Sequence, residues 1–146
     1  MIDMTKVLLK PEFKNLTHVA SGKVREIYSS GENLLFVSSD RLSAFDVIMN
    51  QGIPYKGAVL NSISAFWFDY TRDLVPNHFL SMNVEDYPVE FREYRSELEG
   101  RSMLVKKGKI VPIECIVRGY LSGTGWNDYR NTGSISGVKL RQGLLE

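Results

Sequence analysis

The sequence predicts an α+β fold: an antiparallel sheet that bears a helix, followed beyond Gly100 by a second region of different character. Three observations carry this expectation. Two β-hairpin signatures flank one amphipathic helix, and the composition changes near Gly100 from charged and helical to extended and glycine-rich.

The first hairpin joins Val24 to Tyr28 with Leu34 to Ser38 across Ser29, Ser30, Gly31, Glu32 and Asn33. A third extended run covers Ala44 to Met49; Asn50, Gln51 and Gly52 then turn the chain, and Pro54 removes a donor that regular pairing would need. From Val59 the residues Val59, Ile63, Phe66, Trp67, Tyr70 and Leu74 recur at steps of three and four. Asn61, Ser62, Ser64, Asp69 and Asp73 take the other side, so the aromatic stripe is expected in the core and the helix ends before Pro76. Asn77 to Met82 reads as a strand, and Asp86 is placed to cap a short helix from Pro88 to Leu98 that Gly100 stops. A second hairpin is expected from Ser102 to Lys106 and Ile110 to Val117, with Lys107, Gly108 and Lys109 between them. Arg118 to Gly125 forms a glycine-rich turn before a short helix at Trp126 to Arg130, and the tail from Ser134 shows no periodicity. The division this suggests is residues 1–100 and 101–146.

With 146 residues, 43% of them hydrophobic and 24% charged, the chain can bury one sizeable core. Its Lys and Arg number 18 and its Asp and Glu 17, so a formal charge of +1 gives no general attraction to nucleic acid or anionic membrane, and any anion site must be local. No apolar run approaches the length of a membrane span and Met1 to Lys10 has no signal-like pattern, so a cytoplasmic protein is expected. The single Cys115 excludes an internal disulfide, and its apolar neighbours mark it as a buried small hydrophobe. His18 and His78 lack neighbours at ligand spacing, so no metal ligand is assigned.

Three constellations could carry chemistry. In Gly22-Lys23-Val24-Arg25-Glu26-Ile27-Tyr28 a glycine turn leads into a strand with two cations placed to meet phosphate oxygens, although a solvated hairpin would look the same. In Ser38-Ser39-Asp40-Arg41-Leu42-Ser43-Ala44-Phe45-Asp46, hydroxyls, carboxylates and a guanidinium gather at a strand end. They suit a small zwitterion or an ordinary Asx turn. In the run from Arg101 to Gly125, Glu114 lies within an apolar stretch and Arg118 precedes a turn with Ser122 and Thr124, which is either a phosphate cup or a buried Glu–Arg pair beside a plain turn. No nucleophile elbow or Ser/His/Asp series is present, and no catalytic group is singled out.

Taken in order, Gly22 to Tyr28, Ser39 to Asp46, Pro112-Ile113-Glu114-Cys115-Ile116-Val117-Arg118-Gly119-Tyr120 and Ser122-Gly123-Thr124-Gly125-Trp126 resemble the phosphoribosylaminoimidazole-succinocarboxamide synthase family. The resemblance runs from about Thr17 to the end of the chain and implies an antiparallel sheet lobe with a packed helix, plus the start of a second α/β lobe that helps enclose ATP. It implies a ligase in which ATP phosphorylates the carboxylate of carboxyaminoimidazole ribonucleotide and L-aspartate displaces the phosphate. By matching position, Gly22, Lys23 and Arg25 would meet the ATP phosphates, Met103, Leu104 and Lys106 would serve the adenine side, and Glu114 would order the nucleotide region. Arg118, Ser122 and Thr124 would hold the ribonucleotide 5′-phosphate, with Asp40, Arg41, Ser43 and Asp46 facing substrate. Family members continue further and place their Mg²⁺ ligands in later acidic segments, so this chain is expected to be an amino-terminal portion, inactive alone. A complementing second polypeptide would complete it, and the partners expected are such a chain or a further copy in a homo-oligomer. The rival expectations are a nucleotide-holding module without ligation and a kinase-like phosphotransferase, which a requirement for aspartate separates.

Overall fold

The computed structural model describes residues 7–45, 47–113 and 115–145. It contains two compact units, one through Lys109 and one from Ile110. In the first, β1 (Thr17–Ser21), β2 (Arg25–Ser30) and β3 (Asn33–Ser38) are followed by the separate two-stranded pair β4 (Arg41–Ala44) and β5 (Val47–Gly52). Next come the long helix α1 (Lys56–Tyr70), strand β6 (Phe79–Ser81), a 3-10 turn at Val84–Asp86, the short helices α2 (Val89–Arg92) and α3 (Arg95–Leu98), and strand β7 (Ser102–Lys106). The main sheet is antiparallel with order β1-β2-β3-β7-β6.

The first hairpin forms in the expected place, with Ser30 opposite Asn33 and Arg25 opposite Ser38. Strand alternation then sorts the side chains. Tyr28, Leu35, Val37 and Leu104 turn to one face and make the core with Phe13, Val84, Tyr87, Phe91 and Leu98. Tyr87 and Ser102 meet hydroxyl to hydroxyl at 3.1 Å, and Ser102 Oγ also donates to the Leu98 carbonyl, so the polar atoms under α3 are satisfied.

The other face of the sheet carries α1, and here the expected orientation is reversed. Val59, Ile63, Phe66, Trp67, Tyr70 and Leu74 are exposed in the structure, whereas Gly57 and Asn61 are the buried residues of the helix. Close approach is the reason. A Cβ on Gly57 would lie 2.3 Å from the Ser38 carbonyl oxygen, so only glycine admits the helix against the end of β3. One turn on, Asn61 donates to the carbonyls of Gly100 and Ser102, and Phe68 rests on His78 and Phe79. The face of Gly57 and Asn61 packs because glycine admits the close approach and Asn61 satisfies backbone carbonyls at the sheet end.

The second expected hairpin does not form. Ser102–Lys106 pairs with β3 and β6, partners distant in sequence, and residues 107–113 and 115–122 have no helix or strand. The first unit therefore extends past the division expected at Gly100, because β7 is an interior strand of its sheet. Cys115, expected in the core, is exposed, as are Ile113, Ile116 and Val117; without a strand there, no pairing carries them into the interior.

The second unit, described by itself, is α4 (Gly123–Thr132) followed by the hairpin β8 (Ser134–Ile135) and β9 (Val138–Lys139). Gly133 ends the helix at φ 70° and returns its N–H to the Tyr129 carbonyl at 2.7 Å. Tyr129 holds the tail: its hydroxyl donates to the Arg141 carbonyl and accepts from the Leu144 N–H. No helix among the described residues is long and apolar enough to cross a membrane.

Candidate functional site

The Gly22–Lys23 turn lies at the end of the sheet, between β1 and β2. Gly22 donates its N–H to the Arg25 carbonyl at 2.7 Å. Beneath the turn sits Glu26, buried at 1% exposure, because β2 alternation directs Glu26, Tyr28 and Ser30 inward. Its carboxylate is fully engaged. Arg41 Nη1 donates to Oε1 at 2.6 Å, Ser21 Oγ donates to Oε2, and His18 Nε2 lies 2.8 Å from the same Oε2. Burial alone pushes the Glu26 carboxyl up, but the hydrogen bonds from Ser21, Arg41 and His18, with the Arg41 charge, outweigh it and hold the group below its ordinary range. A cleft of about 390 Å³ opens beside these groups, lined by His18, Ser21, Glu26 and Tyr28 with Lys10 and Lys14. The Tyr28 hydroxyl donates to the Pro11 carbonyl at 2.9 Å, and burial, with the nearby Glu26 and Glu12 charges, pushes its pKa up to about 12.

Arg41, expected to face substrate, is turned toward the protein instead. Its Nε donates to the Lys23 carbonyl at 3.1 Å, Nη2 to the Gly22 carbonyl at 2.9 Å and Nη1 to the Leu9 carbonyl at 3.2 Å, in addition to the Glu26 pair. Asp40 is likewise enclosed, at 0% exposure. Its Oδ1 accepts from the Gly57 N–H, and its Oδ2 accepts from the Leu8 N–H and from Arg101 Nη1. A buried carboxylate must take up such donors, and in doing so Asp40 fastens the start of α1 to the sheet rather than meeting a ligand.

The remaining expected residues fall into three places. Lys23 is exposed in the turn, and Arg25 lies with its guanidinium 5.6 Å from the centre of the Phe36 ring, on the sheet face that carries α1. Met103 shares that face through its register with Phe36, whereas the Leu104 side chain points into the opposite core. Lys106 is exposed at the end of β7 and Ser43 is half-buried in β4. In the second unit Arg118 is exposed in the irregular segment, and Ser122 and Thr124 stand at the amino-terminal end of α4, where Ser122 makes no side-chain cap. Asp46 and Glu114 lie outside the described residues.

Among the described residues no group of three or more His, Cys, Asp and Glu is arranged to hold a metal ion. The buried carboxylates of Glu26 and Asp40 are consumed by Arg41 and Arg101, so they do not fit Mg²⁺. Glu26 and Arg101 were missed as site residues. Alternation with Tyr28 marks Glu26 as inward-facing, and an inward carboxylate requires a cation; nothing local marks Arg101.

An antiparallel five-stranded sheet with a helix on one face and a cation-bearing turn at its end defines an α+β protein of the SAICAR synthase type. A family model described as SAICAR synthetase matches residues 18–146, and the chain belongs to that family. It is 59% identical over 143 residues to the phosphoribosylaminoimidazole-succinocarboxamide synthase of Geobacter metallireducens, covering 98% of this chain and 48% of the relative. It is 57% identical to the protein of the same name from Syntrophotalea carbinolica, with the same coverage. Two solved structures superpose closely. One, titled SAICAR synthase, gives a TM-score of 0.87 at 42% identity over 95% of this chain and 50% of that one. The other, SAICAR synthase from Saccharomyces cerevisiae complexed with SAICAR, gives 0.84 at 43% identity over 94% and 49%. The chain spans about half the length of the curated relatives it matches.

Proposed function

We propose that the chain is the amino-terminal portion of a cytoplasmic ATP-dependent ligase that joins L-aspartate to the carboxylate of carboxyaminoimidazole ribonucleotide in purine synthesis. The observation that carries this reading is the Gly22–Lys23 turn, fixed by Arg41 at the end of a sheet whose relatives are named phosphoribosylaminoimidazole-succinocarboxamide synthase. A carboxylate is a poor electrophile. Transfer of the ATP γ-phosphoryl group to its oxygen gives an acyl phosphate and ADP; attack by the aspartate amine then forms the amide, and phosphate and a proton leave. Catalysis of this kind depends on positioning and on neutralising phosphate charge. Gly22, Lys23 and Arg25 suit the nucleotide phosphates, and Met103 and Lys106 the adenine side. Arg118, Ser122 and Thr124 suit the ribonucleotide 5′-phosphate, and Ser43 the substrate side. The sheet unit and the segment from Ile110 serve as nucleotide- and substrate-holding parts of one enzyme, which a complementing carboxy-terminal chain would complete.

The test is a turnover assay with ATP, Mg²⁺, L-aspartate and the ribonucleotide. The chain alone is expected to bind ATP without forming ADP, and addition of the carboxy-terminal half of the Geobacter metallireducens relative is expected to restore amide formation. ADP released by the chain alone, dependent on both aspartate and ribonucleotide, would overturn the expectation of inactivity. Saturable ATP binding with no turnover in the completed protein would replace the ligase with a nucleotide-holding module.

A further inference from the structure

We infer that Arg41 and Glu26 are positioning residues for the Gly22–Lys23 turn, setting its shape without touching the ligand. This rests on the reading of that turn as a nucleotide-phosphate site.

Glycine's own freedom does not set the shape. Gly22 is not among the residues with positive φ, and a Cβ there would meet only the Arg25 carbonyl oxygen and the Arg25 Cβ at ordinary contact, 3.5 and 4.0 Å. The turn keeps its form through what lies under it. Arg41 grips two successive carbonyls, Gly22 through Nη2 at 2.9 Å and Lys23 through Nε at 3.1 Å. Each carbonyl belongs to a planar peptide, so fixing both oxygens fixes both planes on either side of the Lys23 Cα. The direction in which Lys23 leaves the backbone follows from those planes.

Glu26 in turn fixes Arg41. Its Oε1 takes Nη1 at 2.6 Å, and its Oε2 takes the Ser21 hydroxyl from the strand entering the turn. One buried carboxylate thus ties the strand before the turn, the strand after it and the guanidinium beneath it. A planar guanidinium spreads its five donors over a fixed fork and so reaches two adjacent carbonyls and a carboxylate from three different nitrogens; an ammonium group has three donors on one nitrogen and lacks that span. Arg41 therefore acts through Lys23 rather than on substrate.

Calorimetry with ATP and with adenosine, on the unaltered chain and on Arg41→Met, Arg41→Lys and Glu26→Gln, tests this, with thermal unfolding as the fold control. The unaltered chain is expected to bind ATP more tightly than adenosine. Arg41→Met and Glu26→Gln should weaken ATP binding roughly tenfold, the scale of one lost charge-assisted contact, and leave adenosine unchanged. Arg41→Lys should fall between. Should Arg41→Met fail to fold, Arg41→Lys and Glu26→Gln carry the same comparison. Undiminished ATP affinity in the variants, or parallel loss of ATP and adenosine, overturns the inference while leaving the turn's phosphate role standing. Failure of the unaltered, folded chain to bind ATP overturns that role and the inference with it.

Discussion

Arg101 Nη1 lies 2.9 Å from Asp40 Oδ2 in the interior of the first unit, an ion pair that joins the residue before β7 to the residue before β4. The same carboxylate holds the Gly57 N–H, so strand, strand and helix meet at one side chain. Replacing Arg101 by Met leaves the buried Asp40 carboxylate without its counter-charge and with only the Leu8 and Gly57 N–H donors, a change that costs about 3–5 kcal/mol. Urea unfolding at neutral pH is expected to show a loss on that scale; a loss no larger than that of an exposed pair would mean that those two backbone donors suffice without Arg101.

The reversed face of α1 makes a pair of opposite predictions. Asn61→Ala removes the donors to the Gly100 and Ser102 carbonyls and is expected to destabilise the chain by about 1–3 kcal/mol. Ile63→Ser, on the exposed stripe, is expected to change stability by no more than about 0.5 kcal/mol. Thermal melts of the two variants side by side decide it, and the opposite order would put the aromatic stripe back in the core.

The span of α1 was legible in the sequence and its buried face was not, for one physical reason. Periodicity in Val59, Ile63, Phe66 and Trp67 reports that a helix has two unlike faces. Which face packs depends here on the backbone approach that Gly57 permits and on carbonyls at the sheet end that Asn61 satisfies. The first hairpin was legible because its turn and strands are adjacent; Ser102–Lys106 was legible as a strand but not its partners, which lie far away in the chain. At the site, residue types alone left Gly22 and Lys23 open between a phosphate turn and a solvated hairpin, and the ordered motifs of the family resemblance gave them the phosphate role. The residues alone left Asp40 and Arg41 open between a small-zwitterion site and an Asx turn, and the family resemblance placed them toward substrate; their burial and their donors and acceptors, visible only in the fold, turn them inward.

Glu26 gives the first unit a defined acid sensitivity. Its carboxyl titrates below its ordinary value of 4.5, so the folded state binds this proton less readily than the unfolded chain. Its contribution is therefore fully present above about pH 5 and is lost as pH falls below 4.5 through the lower folded value. Unfolding free energies of the unaltered chain and Glu26→Gln are expected to differ at pH 7 and to converge as the pH is lowered progressively below 4.5. A difference that stays constant over that range would show that the carboxylate charge contributes nothing.

Whether the Gly22–Lys23 turn receives nucleotide phosphates is decided by amide NMR of the isotopically labelled chain. Titration with ATP is expected to shift the Gly22, Lys23 and Val24 amide signals, while adenosine at the same concentrations leaves them in place. ATP binding that leaves those three signals unmoved and shifts others instead would contradict the account.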